Sequence, residues 1–292
     1  MQFEPVATGF SFLEAPRADA AGNVWFSEVV LGGIRHLRPD GSVRELLPGK
    51  QWIGGLALNE DGALLVSGRG GIAWVDPASG ATGMLLEEID GSPIGSVNDV
   101  QPDGRGGLYF GTMDGAALER GDTPAPCSLY RLNVDGRVTL LRDGLKISNG
   151  LGLSPDGRRL YHNETWLGTW AYDLAGDGSI ARRTMLLEQP DCDGLAVDAE
   201  GGIWLAACRH GTLTRLSPDG AVDRRIELPV KEVTSLCFGG ADGRDVYVTT
   251  AFAGAIDLAQ DGPPPRTAAL YHGRSAIAGL PLARTRFKLP GK

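Results

Sequence analysis

Cysteine is scarce in this 292-residue chain, and the four present, Cys127, Cys192, Cys208 and Cys237, form neither a CxxC pair nor a dense framework. A chain of this length buries an adequate core without cross-links, so free thiols are expected. Cys192 adjoins Asp193 but is assigned a structural place, because free cysteine is among the most often buried residue types. No basic run occurs, and 36 acidic against 28 basic residues leave a net charge of −8. That balance excludes a nucleic-acid or anionic-membrane surface, which needs clustered Lys and Arg. No stretch approaches the roughly 18 consecutive apolar residues of a membrane span, and MQFEPVATGF lacks a signal peptide's charged and apolar regions, so the expected location is the cytoplasm. A Gly-x-Ser-x-Gly elbow, a phosphate-binding loop and a dinucleotide fingerprint are all missing. Ser148 has no recognisable His partner, which argues against a serine triad. Histidine is equally rare: His162 alternates with Tyr161 as a core residue would, and His36 and His272 fall in outer hairpins.

Glycine and proline, by contrast, are abundant at 43 and 18 residues, a composition suited to many tight turns. The turns recur. Six segments, ADAAGNVWF, LNEDGALLV, DGRGGLYF, SPDGRRLY, DAEGGIWL and ADGRDVYV, place Gly22, Gly62, Gly106, Gly157, Gly201 and Gly243 at spacings of 40 to 51 residues. Such a period marks a propeller or related array. Each repeat continues into a second hairpin, from IRHLRPDGSVREL to LYHGRSAIAGLPLART, most turning on Asp-Gly or Ser-Gly. Four strands per repeat follow. The fold expected is all-β, a six-bladed β-propeller with four-stranded antiparallel blades, spanning residues 1–292 as one domain. Phe3 to Thr8 is expected to add a strand to the last blade and close the circle.

Eight residues before each turn glycine lie Glu14, Gly54, Asn98, Asn149, Asp193 and Ser235. The first strand of a blade lines the central channel, so equivalent positions share one height, and an even offset gives them one parity if no bulge intervenes. Asn-Gly and Asp-Gly are ordinary turn dipeptides, but turn chemistry does not explain strong oxygen donors at four of six equivalent slots. Two carboxylates and two amides converging in a channel would repel unless a cation sat among them. Oxygen donors favour a hard ion, with calcium first and manganese, magnesium or zinc as other candidates. The expected metal ligands are Glu14, Asn98, Asn149 and Asp193.

The stretches LEAP, VNDVQPDG with GTM, KISNGLGLSPDG, CDGLAVDAEGGIWLA and TSLCFGGADGRDVYVTTA together resemble the senescence marker protein, gluconolactonase and luciferin-regenerating enzyme family over nearly the whole chain. The resemblance implies one divalent cation on the channel axis and hydrolysis of a small lactone or ester. It makes Glu14, Asn149 and Asp193 metal ligands, Asn98 a fourth ligand or a substrate-orienting catalytic group, and Asp193 the candidate base. The family's Glu-Gly-Pro is here Glu14-Ala15-Pro16. Sugar-lactonase members carry an Arg at the position of Ser96 and an acidic residue shortly after GTM, where Gly115-Ala116 stand; these departures point to a less polar or differently charged substrate.

Loops after each second strand return to the ring's face and carry Glu28, Arg69, Met113, Asp114, Glu164, Trp166, Arg209 and His210, with Trp52 arriving before the second blade. Of these, Trp52, Met113, Trp166, Arg209 and His210 are expected to contact a small-molecule substrate. The proton acceptor is open between Asp193, His210 and a water activated by the ion. Organophosphate hydrolysis, a non-hydrolytic metal-dependent reaction, and a non-catalytic calcium- or partner-binding propeller are the other readings. A monomer is expected.

Overall fold

The computed structural model describes residues 1–255 and 263–292. It is a six-bladed β-propeller. Blade one runs Leu13–Ala18, Val24–Glu28, Ile34–Leu37 and Val43–Leu46, each strand antiparallel to the next. The inner strands of the other blades are Leu56–Asn59, Val97–Pro102, Ile147–Leu153, Cys192–Val197 and Val233–Gly239, in chain order. The six turn glycines after these strands all hold left-handed backbone, with φ between 67° and 97°. That region costs glycine nothing and other residues about 1 kcal/mol or more, which explains why the repeat is punctuated there.

Six buried clusters hold the propeller together, one between each pair of neighbouring blades. Leu64 and Val66 face blade one while Leu65 faces blade three, so both sides of a sheet are covered. Strands buried on both faces read as continuous apolar runs, as LLV and IWLA do. Indoles fill the wider parts of these seams: Trp74 packs with Phe110, and Trp204 meets Phe238 edge to face at 6.0 Å between centroids.

Phe3–Phe10 supplies the fourth strand of blade six, pairing antiparallel with Ala268–Arg274. The ring therefore closes as expected, although the strand runs two residues further than Thr8. The expected sixth hairpin, LYHGRSAIAGLPLART, does not form. Its first strand ends at Arg274 because the N-terminal strand already occupies the partner edge. The remaining residues instead cross the end of the channel opposite the ring of donors. Leu280 N–H donates to Val197 O at 3.2 Å, and Arg284–Thr285 pairs in parallel with the inner strand of blade two. Asn59 then clasps Phe287 through both backbone groups at 3.0 Å.

A helix, Gly115–Glu119, follows the second strand of blade three, with the Asp114 side chain accepting from Ala117 N–H at its start. No helix among the described residues is long and apolar enough to cross a membrane. The four cysteines are buried and unpaired.

Candidate functional site

The ring positions gather at one end of the channel because of a defect repeated in the inner strands. In blades one, three, four and five the inner strand carries one more residue than its partner between Glu14 and Arg17, Val97 and Val100, Ser148 and Leu151, and Cys192 and Leu195. Such a bulge re-aims side chains that strict alternation would send to opposite faces. Glycines then let the bulged strands crowd the axis. A Cβ on Gly150 would lie 2.6 Å from Asp193 O, and one on Gly194 would collide with the Ser235 side chain. Asn149-Gly150 and Asp193-Gly194 are thus close-approach pairs within strands rather than turns.

Glu14, Gly54, Asn98, Asn149 and Asp193 line a cavity of about 170 Å³ at this end; Ser235, packed against Gly194, does not. Gly54 leaves room for its neighbour, since a Cβ there would strike Asn98 Oδ1. Both amides are oriented by their NH2 groups. Asn98 Nδ2 donates to Ser148 O at 2.8 Å, and Asn149 Nδ2 donates to Thr165 Oγ1 at 3.1 Å. No described residue is seen to donate to either Oδ1, so the amides offer oxygen to the cavity. Burial raises the Glu14 and Asp193 carboxyls well above the usual range, and nearby carboxylates add to it: Asp193 and Asp99 act on Glu14, and Asp99 acts on Asp193. The Asn149 side chain and the Cys208 thiol partly offset the shift at Asp193.

Two buried acids and two amide oxygens form an acceptor-only set, which is what a hard divalent cation requires. Among the described residues no three His, Cys, Asp or Glu side chains are grouped as a metal site; here two carboxylates are completed by amides.

Asp99 escaped the sequence reading. Next to Asn98, it has the wrong parity for a regular strand, and only the bulge brings it into the channel. The detectable signal is the one charged residue in the inner strand VNDVQP. It is 6% exposed, and burial pushes its carboxyl up to about 6 against the opposing pull of Arg17. An acid whose folded pKa lies above its unfolded value near 3.8 binds more protons folded than unfolded between those values. Its contribution to stability is complete below the lower value and lost as pH rises through about 6. Asp99→Asn is therefore expected to raise the stability of chelator-treated protein by about 2–3 kcal/mol above pH 6 and to have no such effect below about pH 4. Denaturant melts at the two pH values check this.

The rim divides. Trp52, Met113, Trp166 and Arg209 line the cavity. His210 does not: Asp191 accepts from its Nδ1 at 2.6 Å and holds the ring outward, with the side chain 75% exposed. Glu28 is fully buried, accepting from Ser11 and Phe12 N–H, and so caps blade one instead of standing at the mouth. Glu164 is also buried, where it accepts from Lys146 N–H and pairs with Arg183. Arg69 and Asp114 border an adjoining cleft with Ser96.

Ser148 does have a histidine partner, contrary to expectation. His162 Nε2 lies 2.8 Å from Ser148 Oγ, and its Nδ1 lies 3.3 Å from the Tyr172 hydroxyl. Both Ser148 and His162 are 0% exposed, and burial drives the imidazole down to about 3. With no access to solvent and no carboxylate on its far side, the pair ties strands together. Cys192 and Cys208 flank Asp193 with thiols raised by burial, so neither is poised as a thiolate nucleophile at neutral pH.

The SMP-30/Gluconolactonase/LRE-like region matches residues 12–252. A pentonolactonase of Haloferax volcanii is 31% identical over 91% of both chains. A 6-deoxy-6-sulfogluconolactonase of Pseudomonas putida is 33% identical over 78% of this chain and 79% of its own. A solved structure described as a calcium-binding protein, regucalcin, from Agrobacterium tumefaciens superposes with a TM-score of 0.80 at 25% identity, covering 98% of this chain and 97% of that one.

Proposed function

The chain belongs to the SMP-30/gluconolactonase/LRE-like family, and from that premise we propose that it hydrolyses a small lactone with one divalent cation, calcium first, held by Glu14, Asn98, Asn149 and Asp193. The observation that carries this reading is the acceptor-only floor of the cavity, where both amides spend their NH2 groups on the protein. The names of the two lactonase relatives and of the regucalcin structure support it.

A bound dication supplies a Lewis acid for the lactone carbonyl. The chain's own residues do the rest. Asn98 and Asn149, fixed by Ser148 O and Thr165 Oγ1, keep their amide oxygens beside the two acids. Asp193 takes the proton of the attacking water on a carboxylate oxygen. It later returns the proton to the leaving alkoxide, and the ring opens to a hydroxy acid. A cavity of about 170 Å³ suits a small lactone.

Lactone opening releases a proton, so a weakly buffered indicator assay tests the reading. Purified protein is expected to open at least one five- or six-membered lactone far faster than the spontaneous rate. A rate equal to background across a panel of such lactones would overturn it.

A further inference from the structure

The walls above the carboxylate floor are not uniform. Blades four and five contribute the polar side: Thr165, Asp191 and Arg209. From blade one round to the start and rim of blade four the wall is apolar, built by Phe12, Val29, Trp52, Leu118, Ile147 and Trp166. We infer that the lactone taken by this site carries a hydrocarbon group, alkyl or aryl, where a sugar lactone carries hydroxyls. This rests on the lactonase reading and narrows it.

Partner supply decides the matter first. A polyhydroxylated ring brings several hydroxyls, and each one buried without a partner loses its hydrogen bonds to water. Part of the polar wall is already engaged. The Thr165 hydroxyl donates to Cys192 O at 2.7 Å while accepting from Asn149. Asp191 Oδ2 accepts from the Arg209 N–H and from His210 Nδ1. On the apolar wall the indole N–H of Trp52 is already given to Glu119, and the side chains of Phe12, Val29, Leu118 and Ile147 carry no polar atom.

Backbone conformation points the same way. Trp52 and Trp166 both hold left-handed backbone, at φ 60° and 78°, which a bulky side chain rarely adopts. Each is pinned there, Trp52 N–H to Val29 O at 2.8 Å and Trp166 N–H to Pro190 O at 2.7 Å. Strain of this kind persists where surrounding structure enforces it, and here it sets two indoles at the mouth. Trp166 remains 45% exposed among the described residues, a large apolar surface at the mouth. Behind Phe12, Val29 and Trp52 lies a packed cluster of Ala251, Phe252 and Ala255, so that side of the wall is rigid.

The test compares kcat/KM for γ-lactones of increasing unbranched alkyl chain length, a benzo-fused lactone and a pentono-1,4-lactone. Alkyl lactones are expected to improve by up to about fourfold per methylene until the wall is filled, and the alkyl and benzo-fused compounds to exceed the pentonolactone by at least about tenfold. Trp166→Ala is expected to raise KM for the longer alkyl lactones and flatten their chain-length dependence. Preference for the pentonolactone, or a chain-length dependence unaltered in Trp166→Ala, overturns this inference and leaves lactone hydrolysis standing. Hydrolysis of none of them overturns the proposed function itself.

Discussion

Asp193→Asn is expected to lower lactone turnover by about a thousandfold, within the range typical for loss of a positioned proton acceptor, while leaving the protein as stable as before or more so. The two halves of that result have one cause. Burial and the neighbouring Asp99 hold the Asp193 carboxyl well above the ordinary range, so its ionised form is costly in the folded state. An amide of the same shape removes the charge and the cost together. Sign follows from linkage: a raised carboxyl loses its contribution to stability as pH rises, so the amide gains most at neutral and higher pH. The amide cannot accept a proton from water, and it weakens any cation held with Glu14. Turnover and thermal melting of chelator-treated protein, measured side by side, check both halves. A variant that turns over normally removes Asp193 as the base; one that unfolds shows the carboxylate to be structural.

Much of this arrangement could be read from the residues. Turn glycines repeating every 40 to 51 positions fixed the blade count, and each of them proves to need left-handed backbone. Counting back eight residues found the cavity floor because inner strands of a propeller share one height. Parity, however, was the wrong reason. The structure reaches the same convergence through one extra residue in the inner strand of each of the four blades that carry the donors, and no alternation pattern distinguishes two residues facing one from a regular ladder. Asp99 was hidden for that reason.

Other misses have equally local causes. A carboxylate at a strand end reads the same whether it caps backbone N–H groups or faces solvent, so in the sequence Glu28 and Glu164 look like mouth residues. LYHGRSAIAGLPLART has the spacing of a hairpin, but the partner edge was taken by residues more than 260 positions earlier in the chain. Ser148 and His162 pair across neighbouring strands, a contact set by register that their separation of 14 residues does not announce. Phe12, Leu118 and Ile147 join the apolar wall from three separate segments, each unremarkable alone.

The dication is the centre of the account, and removing it is the second large effect expected. Two buried acids close together are destabilising when the site holds no cation, and calcium should stabilise the fold in proportion to the logarithm of its concentration once above Kd. Protein stripped by chelator should therefore lose lactone hydrolysis to background, regain it with calcium or manganese, and melt at higher temperature with calcium than without. Glu14→Gln and Asp193→Asn should each lose most of that calcium-dependent rise. The most direct single measurement is hydrolysis by the wild-type protein in excess chelator, before and after calcium is restored. Loss and recovery of activity are the predicted result; full activity in the chelator would contradict the claim.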